Sequence, residues 1–263
     1  MIDVKFVNGK YVAVINGKTV KRAKKEHMDY VIRKAQKESN DTAPVQESRF
    51  TINERFGFVT DMVAMLAAGA QASVVVTGPG GLGKSFTVTK ALADCGMTDV
   101  SLLEDFAVGT VLKTAKTFRV IKGYSTPKGL YRTLYENKDG VIVFDDCDSV
   151  LKDPVSLNLL KGALDSYSRR IISWRADIRD EDLPTSFEFK GRVVFISNLS
   201  SSQIDQAIIT RSMAVDLTMT TQQKVERMRH IMESEDFMPE ADKQHKADAI
   251  TLIDLLCEKV KEL

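Results

Sequence analysis

Apolar residues recur along this chain in two rhythms. In the larger part, short runs that are apolar throughout alternate with stretches of helical spacing. The runs are "SVVVT", "TFRVI", "VIVFDD", "RVVFISN" and "MAVDL". Helical patterns start at Lys84 and Pro127 and cover about 155–167 and 204–210. Strands with no polar face, separated by helices, predict a parallel sheet of five strands covered on both sides. "ERFGFVTDMVAMLAAG" ahead of them reads as an amphipathic helix stopped at Gly69, and the charged text after Thr220 as a small helical appendix. The first forty residues follow the other rhythm. "VKFVNGKYVAVINGKTVKR" alternates apolar and polar and carries Asn8-Gly9 and Asn16-Gly17, the dipeptides that two-residue hairpin turns favour. A three-stranded meander is expected, followed by a helix with Met28, Val31, Ile32 and Ala35 on one side. Pairing across the turns puts Val4, Phe6, Tyr11, Ala13, Ile15 and Val20 on the face that packs on that helix. Lys5, Lys10 and Lys21, among Val7, Val12 and Val14, take the other face. The expected domains are therefore a β-β-β-α unit over 1–40, a polar linker over 41–49, an α/β core over 50–219 and a partial helical lid over 220–263.

Charge sharpens this division. The formal net charge is only +1, but residues 1–40 hold ten Lys/Arg against four Asp/Glu, so a basic N-terminal unit is joined to a mildly acidic body. The three cysteines, Cys95, Cys147 and Cys257, lie far apart without metal-ligand spacing and are expected as free thiols. "MIDVKFVNGK" does not read as a signal peptide, and no apolar run nears the ~18 residues of a membrane span. A soluble cytoplasmic protein is expected.

"GPGGLGKS", Gly78 to Ser85, fits G-x-x-x-x-G-K-[ST] and lies between a strand and a helix, the setting that motif requires. Glycines without Cβ atoms let successive backbone N–H groups curl round an anion, and the positive end of the next helix adds to the field. The expected phosphate site is Gly78, Pro79, Gly80, Gly81, Leu82, Gly83, Lys84 and Ser85. Lys84 would reach the β- and γ-phosphates of ATP, and the Ser85 hydroxyl would ligate Mg²⁺. "VIVFDDCDS" ends an apolar strand in acid 61 residues after Lys84. Asp145 is the expected second Mg²⁺ holder, and Asp146 stands where a glutamate usually polarises the attacking water. Aspartate is one methylene shorter, so slow turnover is expected.

The phosphate loop, the "VIVFDDCD" strand, a strand ending in Asn198, and "IDQAIITRSMAVDL" with Arg211 occur in that order. Over about residues 50–220 the chain resembles AAA+ ATPases, and more narrowly small AAA+ ATPases of tailed bacteriophages. The resemblance implies an AAA+ α/β core with the small lid behind it, working as an ATP hydrolase in a homo-oligomeric ring, hexameric by that analogy. It makes Asn198 the polar residue that orients water near the γ-phosphate. Arg211, in a "TRS" that resembles the Ser-Arg-Cys signature of clamp-loader ATPases, would be a finger offered to a neighbouring subunit. An arginine countering a helix C-terminus is the competing reading of Arg211. Arg169 and Arg170 are weaker candidates for the neighbour-facing role. Lys122 and Tyr124, in "IKGYSTPKGLY", fall where such ATPases place a polymer-gripping pore loop, with a plain surface loop as the alternative. A hairpin is expected within "RIISWRADIRDEDLPTSFEFKG". The family's second sensor arginine has no evident counterpart: Arg227 and Arg229 fall early in the first lid helix, and the sequence ends near where the helix bearing it would begin.

Other chemistries fit less well. "ENKDG" has Gly140 where a guanine reader needs an acid, and a small-molecule kinase would have no use for Asn198 and Arg211 together. His27, His230 and His245 form no metal or triad pattern, and Trp174 reads as packing. The expected output is remodelling or translocation of a polymer, in phage nucleic-acid metabolism and hence the host cytoplasm by the narrower resemblance. A protein-remodelling chaperone and a nucleotide-controlled scaffold with little turnover are the alternatives. Lys5, Lys10 and Lys21 are candidate DNA phosphate contacts, against a tethering or oligomerisation unit with an ordinary lysine-rich surface.

Overall fold

A computed structural model of the chain describes residues 4–7, 9–15, 18–32, 48–101, 116–175, 183–233 and 240–261. It divides into two compact units, Met1–Glu47 and Ser48–Leu263. In the first, β1 (Val4–Val7), β2 (Lys10–Ile15) and β3 (Lys18–Arg22) form an antiparallel meander, followed by helix α1 (25–32). Val4 pairs with Ala13 and Ala13 with Val20 in register, so these three share a face. Ala13 and Met28 are buried there, with Val4, Tyr11, Val20, Val31 and Ile32 packed around them. Phe6 departs from expectation. It is on the helix-side face but 62% exposed, leaning on Tyr11 at 4.7 Å between ring centroids. Asn8, Asn16, Gly17, Ala35 and most of the expected linker lie outside the described residues, as does the side chain of Ile15.

The second unit opens with α2 (Ile52–Ala67), started by Thr51 and Glu54 in a reciprocal capping box and closed where Gly69 takes φ +86°. Then follow β4 (Ser73–Thr77), α3 (Lys84–Asp94), β5 (Thr98–Asp99), β6 (Thr117–Lys122), α4 (Pro127–Glu136) and β7 (Val141–Asp145). Next come α5 (Asp148–Lys152), α6 (Pro154–Ala163), β8 (Ile171–Ser173), β9 (Ser186–Glu188) and β10 (Arg192–Ser197). After a 3-10 turn at Ser201–Gln203, the chain forms α7 (Gln206–Ile209), β11 (Met213–Asp216), α8 (Thr221–Met232) and α9 (Lys243–Lys261). Strands β8 and β9 are the expected hairpin, paired antiparallel.

The main sheet is parallel, in the order β11-β4-β10-β7-β6-β5. It has six strands, not five. The extra strand, β5, is two exposed residues bonded to the edge of β6, and no apolar run announces it. Every residue of β4 and β7 is buried, and alternate residues feed different layers. Val75, Ile142, Phe144, Val193 and Phe195 join one core with α4 and α6. Val74, Val76, Val141, Val143, Val194 and Ile196 join the other with α2 and α3. Register does the positioning: Ser197 lies beside Thr77, and Ile196 beside Asp145. The segments leaving the carboxyl ends of β4, β7 and β10 therefore emerge side by side, where ligands of parallel α/β sheets bind.

Candidate functional site

The loop from Gly78 to Gly83 bends through conformations that side chains resist. Gly78 has φ +135°, and a Cβ there would come 2.9 Å from the Leu217 carbonyl carbon. Gly81 and Gly83 take φ +79° and +84°, in the left-handed region. Gly83 is the N-cap of α3 and brings no side-chain acceptor, so the cap leaves the first N–H groups of this eleven-residue helix for an anion.

Lys84 is buried, and its ammonium donates to Gly78 O (2.7 Å), Pro79 O (2.8 Å) and Asn198 Oδ1 (2.9 Å). Burial pulls its pKa down, while Asp146, Asp145 and Asp148 push it back up. The Asn198 amide then donates to Asp146 Oδ1 at 2.8 Å. Asp146 itself has φ +55°, the one positive φ outside glycine among the described residues, with its N–H bonded to Ile196 O at 3.0 Å. That turn aims its carboxylate at Asn198. A second chain runs beside the first. Ser85 Oγ donates to Asp145 Oδ1 (2.8 Å), and Lys122 Nζ lies 3.2 Å from Asp145 Oδ2. A cavity of about 170 Å³ lies between the chains, lined by Gly81, Gly83, Ser85, Asp145, Asp146 and Asn198. Among the described residues no group of three or more His, Cys, Asp or Glu is placed to hold a metal. A Mg²⁺ ion here fits Ser85 and Asp145, both hard oxygen donors, only if phosphate and water complete its shell.

The predicted residues are not all brought together. Pro79 contributes its carbonyl, and Leu82 is buried in the hydrophobic core. Lys122, expected beside Tyr124 in a loop, is the last residue of β6 and turns onto Asp145, its register partner. Tyr124 is 80% exposed, beyond Gly123 at φ +91°. Arg211 stands apart from the cavity: its Nη1 donates to Ala207 O at 3.0 Å, satisfying a carbonyl of the short α7. Arg169 pairs with Glu188 at 3.2 Å. Arg170 donates to Ala163 O and Gly191 O and covers Phe189, so it is spent on internal structure. Trp174 packs on Tyr131 as expected.

Sequence reasoning missed three features. Asp148 accepts from the buried Ser197 Oγ at 2.6 Å, tying the acidic turn to β10. Cys147 sits behind that turn, and burial, helped by Asp145, Asp148 and Asp146, pushes its thiol up to about 11. Most consequential is a second cavity, of about 330 Å³, on the far side of Gly83, lined in part by Asn53, Phe56, Thr60, Phe86, Arg227 and His230. Arg227 lies 3.7 Å over the Phe56 ring, donates to Asn53 Oδ1 (3.1 Å) and is only 9% exposed. Its Nε has no hydrogen-bond partner among the described residues, and burial lowers its pKa. The one available signal was an arginine on the apolar side of a lid helix, which spacing alone cannot aim.

No family model matches the chain. It is 28% identical over 209 residues to an uncharacterized 36.7 kDa protein in the nrdC-mobD intergenic region of Enterobacteria phage T4, covering 73% of this chain. The match spans 59% of that relative's length. Among solved structures it is similar to NtrX from Brucella abortus in complex with ADP, at TM-score 0.41 and 13% identity, over 80% of this chain and 46% of that one. NtrX in complex with ATP gives TM-score 0.40 at the same identity and coverage. Likeness at that level assigns no activity. No helix among the described residues is long and apolar enough to cross a membrane.

Proposed function

We propose that the chain binds a nucleoside triphosphate, ATP in the first instance, with Mg²⁺ and hydrolyses it. One observation carries this: Lys84, Asn198 and Asp146 form one continuous hydrogen-bonded chain beside the Ser85–Asp145 pair, round a loop of bare N–H groups. The phosphates would lie on that loop, with Lys84 moving from the Gly78 and Pro79 carbonyls onto β- and γ-oxygens. Mg²⁺, held by Ser85 and Asp145, would neutralise charge building on those oxygens. Asp146, kept in place by Asn198, would orient the attacking water and take its proton. The cavity past Gly83 would take the base, which would stack on the outer face of the Arg227 guanidinium, whose inner face covers the buried Phe56 ring.

In this reading the chain works as an AAA+ ring ATPase, with Arg211 acting on the neighbouring subunit's nucleotide after leaving Ala207. The output is remodelling or translocation of a polymer, and the T4 relative supports a phage setting. One observation favours a slower alternative, a nucleotide-controlled scaffold. Asp146 is one methylene short of glutamate, and the Asn198 amide already occupies one of its carboxylate oxygens. Nucleotide binding and phosphate release by the wild-type chain and Lys84→Ala decide the core proposal. The expected result is Mg²⁺-dependent binding and turnover, both lost in the variant. A Lys84→Ala chain that binds ATP as the wild type does would sink the site.

A further inference from the structure

We propose that the outer face of the β1–β3 sheet docks onto duplex DNA, with the sheet lying along the major groove. This goes beyond the nucleotide reading and stands on a different unit of the chain. Cross-strand register fixes the face. Lys5 lies opposite Val12 and Val12 opposite Lys21, Val7 is opposite Lys10, and Val14 is opposite Thr19. Helix α1 covers the other face, where Ala13 and Met28 are buried. One row therefore presents lysine, valine, lysine across the three strands, with the cations on the two outer strands.

Neighbouring strands are about 4.8 Å apart, so the backbones at Lys5 and Lys21 lie roughly 10 Å from one another. The major groove is about 12 Å wide, with phosphates along both rims and thymine methyls on its floor. A lysine on each outer strand meets each rim, and the valines of β2 between them face the floor. Val14 is 60% exposed. No strand residue of this sheet is acidic, and Lys24 and Lys25 follow it directly. Lysines that straddle an apolar stripe fit a groove with charge on two sides better than a single acidic patch on a protein.

The test is fluorescence anisotropy of the full chain, without nucleotide, on a short labelled duplex and on one of its strands, between roughly 50 and 200 mM salt. The duplex is expected to bind more tightly. The combined Lys5→Ala, Lys10→Ala and Lys21→Ala variant is expected to lose at least about tenfold in affinity. Its slope of log K against log salt should flatten by at least roughly 1.8, about 0.9 for each of the rim contacts of Lys5 and Lys21. Val14→Asp, at an exposed position, should weaken binding as well, and unchanged circular dichroism of the variants keeps the comparison sound. The proposal is overturned if the wild type ignores duplex DNA, if it prefers the single strand, or if the triple variant binds equally. Capture of an acidic protein by this face in place of DNA overturns it too. A Lys84→Ala chain should bind DNA normally, so failure of the nucleotide reading would be seen separately.

Discussion

Two cavities meet at Gly83, and they are built in opposite ways. The phosphate-side cavity is made from strand ends and one loop, and its polar groups are bonded to each other: Lys84 to Asn198, Asn198 to Asp146, Ser85 to Asp145. The other takes its walls from three helices, α2, α3 and α8, with α2 and α8, far apart in sequence, joined by Arg227 reaching over Phe56 to Asn53. In the first, rigidity comes from a buried sheet, and each side chain has one place to be. In the second, two guanidiniums tie α2 to α8, Arg227 reaching Asn53 and Arg55 reaching Gln223, and the geometry depends on how the helices lie. The difference predicts that damage to the first side shows in the chemistry, and damage to the second shows in affinity.

The largest effect is expected at Asp145. Asp145→Ala removes the carboxylate that takes the Ser85 hydroxyl and faces Lys122. Turnover should fall by about 10²–10³-fold, the scale seen when one preorganised charge-stabilising group is lost. Steady-state phosphate release measures it, and equal turnover would remove Asp145 from the mechanism. Gly78→Ala is next. The added methyl meets the Leu217 backbone at 2.9 Å with φ at +135°, and neither fault can relax cheaply. A loss of about 2–3 kcal/mol in urea unfolding is expected. Gly83→Ala sharpens the contrast, because its methyl would stand 3.8 Å from Ile231 Cδ1, an ordinary contact, and only φ opposes it. The cost there should be about 1–2 kcal/mol. A cost at Gly83 equal to that at Gly78 would mean that backbone conformation, not the Leu217 contact, dominates at both.

On the other side, Arg227→Ala should weaken nucleotide binding about tenfold while saturated turnover changes little, because a lost stacking contact is worth about 1–2 kcal/mol when desolvated. Equilibrium binding of a fluorescent ATP analogue, compared with kcat, separates the two quantities. A fall in kcat with unchanged affinity would place Arg227 on the phosphate side instead.

This division also explains what could be read from sequence. The central strands β4, β7 and β10 are legible because burial on both faces leaves their interiors apolar, at 74–76, 141–144 and 193–196. The phosphate loop is legible because close approach and positive φ demand glycine at fixed spacings, and Thr126 with Pro127 marks the start of α4. The two-residue β5 is invisible because backbone bonding alone makes it a strand. Arg227 is legible as a lid residue but not as a wall, because its place depends on an α2–α8 contact that no local pattern encodes. The family resemblance puts Lys122 in a loop, whereas strand register sets it beside Asp145.

Lys122→Met carries the smallest effect and the finest test of the phosphate side. Lys122 Nζ lies 3.2 Å from Asp145 Oδ2, the oxygen that Ser85 does not occupy. An ammonium there competes with a divalent cation for the same carboxylate. Its side chain is 70% exposed, so water and salt screen much of its charge, and the pair is worth at most about 1 kcal/mol. Methionine keeps the apolar stem and removes the charge. Mg²⁺ titrated into the ADP complex should therefore bind the variant about two- to fivefold more tightly, and the advantage should shrink as ionic strength rises. If Mg²⁺ binds the variant more weakly at every salt concentration, the ammonium orients Asp145 for the metal rather than competing with it. The phosphate side would then be preorganised by Lys122 as firmly as Asn198 holds Asp146.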